Sequence, residues 1–248
     1  MLERHQQPLL SMGVLLLVIN LGLRPLAEFL PEMLYYVLKS VFLALVFYLG
    51  FHRRLGLKLS FRPRTSFWEQ LSVSWLLVVY LLFIVLPLLV IGLSHYPQAI
   101  WDALVSALVA GFLEEYICRG LFLQMAFQAG NRSYRQVMWA VFLSSLFFGL
   151  AHLSNSLIQP MSHTLFQVYY AFALGVYFCA LVIRTGSLWW VIVPHFLMDF
   201  SVILAANGSK ASGGPTLLGI MVWFLILLIG LYLLREKKLE ALIKEFLS

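Results

Sequence analysis

Apolar runs long enough to cross a bilayer recur along this chain, and polar residues collect mainly between them. Eight runs stand out, at roughly 8–23, 33–51, 70–93, 102–129, 137–153, 163–183, 187–206 and 216–234. A helix needs about 20 such residues to span the hydrocarbon. The fifth run is short, with room for its helix to start earlier. Pro31, Pro97, Pro160 and Pro215 punctuate the connections. No polar linker divides the chain and no clear repeat appears, so residues 1–248 read as one domain. The pattern predicts an all-α, polytopic membrane protein of about eight transmembrane helices. Residues 8–23 resemble a signal-peptide core, but no small-x-small cleavage site follows. They read as a retained first span.

Composition agrees with this class. The chain is 62% hydrophobic and 11% charged, against about 25% charged residues in soluble domains. A net charge of +6 does not point to nucleic acid here, because Lys and Arg in a membrane protein mostly report topology. With the N-terminus in the cytoplasm, the inside segments hold Arg4, Arg53, Arg54, Lys58, Arg62, Arg64, Arg132, Arg135, Arg184, Arg235, Lys237, Lys238 and Lys244. The outside segments hold Arg24 and Lys210, while Lys39 and Arg119 fall within spans. The bias places both termini in the cytoplasm. The 52–64 loop reads as a topology determinant, with docking to anionic lipid as the second reading. The tail from Arg235 to Ser248 is either an extension of the last helix or an amphipathic segment on the inner surface. Cys118 and Cys179 both fall in predicted spans and suggest neither a disulfide nor a thiolate metal site.

Ionisable residues inside these runs carry the functional signal. Each charged side chain costs roughly 2.5–3.5 kcal/mol at mid-membrane on insertion scales. They occur as three groups: Glu114-Glu115-Tyr-Ile-Cys-Arg119, Phe148-Gly-Leu-Ala-His152 and His195-Phe-Leu-Met-Asp199. Glu115 and Arg119 are four apart, share a helix face and are expected to form a buried ion pair. Glu114 lies about 100° round the helix, is not matched to Arg119, and is free to face a cavity. His152 ends its span, with Phe148 one turn before it. His195 and Asp199 again share a face, and Pro194 just before them can kink the helix and release backbone groups. Each group alone has a purely structural reading: a salt-bridge network, an interfacial histidine, a His–Asp hydrogen bond. Together they offer a Glu, two His and an Asp from three helices, and the expectation is that these converge on one intramembrane polar cavity.

Such a set activates water in one of two ways. Glu114 and His152 hold and deprotonate it directly, with His195 donating to the oxyanion. Alternatively Glu114, His152 and His195 bind a zinc ion that lowers the pKa of the water. The soluble zinc-protease signature His-Glu-x-x-His is absent. Ser144, Ser145 and Ser154 lack a Gly-x-Ser-x-Gly turn and are poor nucleophile candidates.

In order, Glu-Glu-x-x-x-Arg, Phe-x-x-x-His and His-x-x-x-Asp resemble the motifs of the CPBP family. These are the CAAX-prenyl endopeptidases and bacteriocin-processing proteins, also called Abi proteins. The motifs lie at 114–199, within the segment 102–206. The resemblance implies an intramembrane glutamate endopeptidase that hydrolyses a peptide bond in a hydrophobic peptide or membrane-protein substrate. It gives Glu114 the catalytic role and His152 the binding of the attacking water. His195 and Asp199 take the oxyanion side, and Glu115, Arg119 and Phe148 support them. Asp199 stands where some members have Asn; it donates a hydrogen bond only when protonated, and otherwise orients His195. The resemblance implies no metal, with zinc as the alternative, and a bacterial cytoplasmic membrane as the location. Two other classes fit the same residues. One is a non-proteolytic regulator or bacteriocin self-immunity protein that binds a membrane partner such as a sensor kinase. The other is a small proton-coupled transporter, although no inverted halves with paired broken helices are visible.

Overall fold

A computed structural model describes residues 11–16, 18–19, 22–57, 59–128, 133–209 and 213–239. Several sequence readings lie in part outside these residues: the 8–10 start of the first span, Arg4, Lys58, Arg132, Lys210, Lys244 and the 240–248 tail. Among the described residues all regular structure is helical. Residues 11–16 and 18–19 are helical. They are followed by α1 (Glu32–Arg53), α2 (Phe67–His95), α3 (residues 100–128), α4 (Tyr134–Ala151), α5 (Met161–Thr185), α6 (Trp189–Ala205) and α7 (Leu217–Leu233).

Four of these helices are long and apolar enough to cross a membrane: α1, α2, α5, and α4 with the turn that extends it to Leu157. Helices α6 and α7 are apolar but shorter. The run read as 102–129 forms α3, which is long enough but carries Asp102, Glu114, Glu115 and Arg119. It is the polar helix of the bundle. Its middle is wound wider than an α-helix, over Ala110–Glu114 and again over Tyr116–Phe122. Such π-type turns often mark functional sites.

Local signals fix the helix ends. Ser66 and Glu69 form a capping box at the start of α2, with reciprocal bonds of 3.3 and 3.0 Å. Ser133 caps α4 by accepting from Gln136 N at 3.3 Å, so that helix begins three residues before the apolar run does.

Helix α4 packs along α5, α5 along α7, and α6 against both α3 and the second half of α2. Lipid tails are as apolar as leucine, so helices in a bilayer associate through close packing and small residues. Gly111 makes the decisive approach. A Cβ there would lie 2.7 Å from Phe196 N and 2.9 Å from its Cα. The backbones of α3 and α6 therefore touch one turn before Glu114 and Glu115, which sets those carboxylates beside His195. Gly111→Ala is expected to cost about 1–3 kcal/mol by overpacking, read as a lower midpoint in a detergent unfolding series.

The bundle has two chemically distinct ends. At one, the 60–64 segment is tied across the α5–α6 turn. Arg64 N donates to Thr185 O at 2.9 Å, Leu188 N to Ser60 O at 2.9 Å, and Ser187 Oγ to Phe61 O at 2.6 Å. Arg184 also donates to Lys238 O at 3.0 Å. Alternation of the helices brings Arg53, Arg54, Arg62, Arg64, Arg135, Arg184, Arg235, Lys237 and Lys238 to this end. At the other, Gln98 donates to Asn207 Oδ1 at 2.8 Å, joining the α2–α3 turn to the end of α6.

Candidate active site

Three helices deliver the polar residues to one place. Glu115, fully buried, accepts from Arg119 Nη1 at 2.8 Å. The Arg119 guanidinium, equally buried, lies 4.3 Å from the centre of the Phe148 ring and 5.5 Å from that of Phe178. Its charge is thus met by a carboxylate and two aromatic faces. Ser144 Oγ of α4 donates to Cys118 O at 2.8 Å and holds the widened stretch of α3 against α4. The expected Glu115–Arg119 pair is present.

His195 differs from expectation. Its Nδ1 donates to Glu115 Oε1 at 2.8 Å, while Asp199 Oδ2 lies 3.6 Å from its Nε2. Sequence reading gave Glu115 a bracing part only and let an ionised Asp199 orient His195. Glu115 on α3 instead makes the short bond to the ring, and Asp199 stands at the far nitrogen. The reason is tertiary: the Gly111 contact brings α3 close to α6, so Glu115 meets Nδ1 while Asp199 keeps its place at Nε2. With Nδ1 committed to Glu115, Nε2 faces Glu114 Oε2 at 3.9 Å and Asp199.

His152 caps the C-terminus of α4. Its Nδ1 pairs with Phe148 O at 2.9 Å, which makes Nδ1 the donor and leaves Nε2 as an acceptor. The Phe148 ring meets both histidines edge-on, at 5.1 Å from His152 and 5.9 Å from His195.

Glu114, His152, His195 and Asp199 all line a single cavity of about 580 Å³. Glu114 and Asp199 keep 39% and 36% of their side chains open to it, whereas Glu115 is at 0%. The helical offset between Glu114 and Glu115 therefore survives the wider winding. Sequence reading missed other polar groups in the wall, among them Tyr36, Lys39, Asn155, Gln167 and Tyr170. Asn155 and Gln167 bond each other at 2.9 Å. Single polar residues in apolar helices were the available signal, but nothing in their spacing links them to the three motifs.

The zinc alternative can be set against the donor geometry. Among the described residues, no three His, Cys, Asp or Glu side chains are grouped to hold a metal ion. Nδ1 of each histidine is held by a protein acceptor, which leaves Nε2 as the ring atom turned toward a water or a metal in the cavity.

No curated protein and no solved structure matches the chain. A family model described as type II CAAX prenyl endopeptidase Rce1-like matches residues 96–201, less than half of the chain. The matched segment contains all three motifs and every residue of the four-member set lining the cavity. With the apolar helices, the match supports an integral membrane protein and, in general terms, a CAAX-type intramembrane endopeptidase. The agreement between motif order, converging side chains and this match supports placing the chain in the CPBP/CAAX protease family.

Proposed function

We propose that this protein hydrolyses a peptide bond in a membrane-associated or hydrophobic peptide, with water activated by Glu114 and His152. One observation carries the reading: Glu114, His152, His195 and Asp199 reach a common cavity from three helices. The Glu114 carboxylate takes a proton from a water that His152 Nε2 also holds. The water oxygen bonds to the carbonyl carbon, and the developing oxyanion accepts from His195 Nε2–H. Collapse breaks the C–N bond, and the proton held on Glu114 passes to the leaving nitrogen. The Glu115 contact fixes the His195 ring so that Nε2 faces this point. Asp199 stands beside the same nitrogen, at 3.6 Å.

The substrate search is direct. Cells making the Glu114→Ala protein are expected to accumulate peptides or membrane-protein segments that wild-type cells cleave, read by mass spectrometry of membrane fractions. A prenylated CAAX peptide, the substrate in the family description, serves only as a defined probe of the purified protein in detergent. If Glu114→Ala and His152→Ala both retain the full cellular function at normal expression, the proteolytic reading fails and a binding or regulatory role takes its place.

Metal dependence has its own expected outcome. Purified protein treated with a strong chelator and dialysed is expected to keep its hydrolytic rate, with zinc by elemental analysis far below one per chain. Loss of rate on chelation, restored by added zinc, would contradict the direct mechanism.

A further inference from the structure

Among the described residues, every loop residue in the wall of the cavity belongs to one end of the bundle. Ser154, Asn155 and Ile158 follow α4, and Ser209 follows α6. Ser154, Ile158 and Ser209 are exposed. Towards the other end the wall stops near mid-helix, at Leu43 of α1, Tyr80 of α2, Cys118 of α3 and Leu174 of α5. Among the described residues, none of 54–66, 186–188 or 234–239 takes part in it. That end is sealed. Thr185 and Ser187 are at 0% exposure and Leu188 at 2%, beneath the 60–64 segment that is hydrogen-bonded across them. At Gly186, whose φ of +73° suits glycine, the space for a Cβ is filled by Arg64 Cγ at 2.8 Å.

The sealed end is also the basic end, and basic loops mark the cytoplasmic side. The open end has polar walls running inward. Asn155 and Gln167 flank it, and Tyr36 and Lys39 lie in the first turns of α1. Lys39 has no carboxylate partner among the described residues; its one contact of note is the Tyr35 ring at 5.7 Å. A lysine so placed in a membrane helix requires a wet surrounding, which the cavity supplies from this end.

We propose that the cavity opens to the extracytoplasmic face and takes its peptide from there. The substrate class is then an exported peptide, or a membrane-protein segment exposed on the outer leaflet, and not the tail of a cytoplasmic protein. This inference rests on the proteolytic reading for its substrate, but its geometry is tested without any hydrolysis.

The test adds one cysteine at a time to the wild-type chain in intact cells, with the wild-type signal from Cys118 and Cys179 as the blank. Ser154→Cys probes the mouth, Ala151→Cys the wall beside His152, and Arg54→Cys the basic end. A membrane-impermeant maleimide is expected to label Ser154→Cys in intact cells and Arg54→Cys only after permeabilisation. A small charged methanethiosulfonate is expected to reach Ala151→Cys from outside. Ser154→Cys that labels only after permeabilisation, or not at all, overturns the proposal. So does Ala151→Cys that stays protected from outside while Ser154→Cys reacts. Either result leaves the effect of Glu114→Ala on cleavage as a separate measurement, so the two readings fail independently.

Discussion

Glu114→Gln is expected to lower the cleavage rate by about 10²- to 10⁴-fold on any peptide the wild-type protein hydrolyses, the usual worth of a positioned general base. The amide keeps the size of the side chain and its place in the cavity wall, but it cannot take a proton from water. The loss should fall on kcat with KM little changed, because the missing interaction acts in the transition state. The unfolding midpoint should hold or rise slightly, since the Glu114 carboxylate has only the 3.9 Å approach to His195 to offset its place in the membrane. The comparison is single-turnover cleavage beside a thermal melt in the same detergent. A variant that folds normally and still cleaves at the wild-type rate would remove Glu114 from the chemistry.

Arg119→Ala should give the largest loss of stability, about 3–5 kcal/mol, the range for breaking a buried ion pair from one side. Glu115 would keep its charge at 0% exposure with only His195 to meet it. The faces of Phe148 and Phe178 would lose the guanidinium that lies against them. Arg119→Lys should recover part of this loss, because the ammonium restores charge but not planar stacking. Activity should fall as well, through His195: a Glu115 without Arg119 draws more strongly on the Nδ1 proton, and the ring shifts. Unfolding curves for the two variants, with cleavage measured below both midpoints, separate stability from chemistry. Equal stability of wild type and Arg119→Ala would mean that the pair contributes nothing to the fold.

Much of the site is local enough to be visible in one dimension. Spacing of four joins Glu115 to Arg119, and one residue of offset sends Glu114 elsewhere; both hold in the structure because a helix fixes which side chains share a face. The apolar runs predict helices at nearly the right places, since burial in lipid leaves helix as the available form for a lone segment. The ends were less legible. Helix α4 starts at Tyr134 because Ser133 caps it, and a cap is a hydrogen bond rather than a hydropathy signal.

Sequence by itself determined the class of the protein, the order of its helices, the basic face and the identity of the six ionisable residues in three motifs placed where a bilayer penalises them. These follow from hydropathy and helical periodicity, which are properties of neighbours along the chain. Tertiary structure decided which partner each residue meets. Gly111 against Phe196 brings α3 onto α6 and gives His195 a second carboxylate, Glu115, besides Asp199. The packing of several helices decides that, among the described residues, loops of only one end reach the cavity wall. Such choices depend on distances between segments far apart in the chain. Hydrogen bonds of 2.8 Å and backbone contacts of similar length are set only when those segments pack.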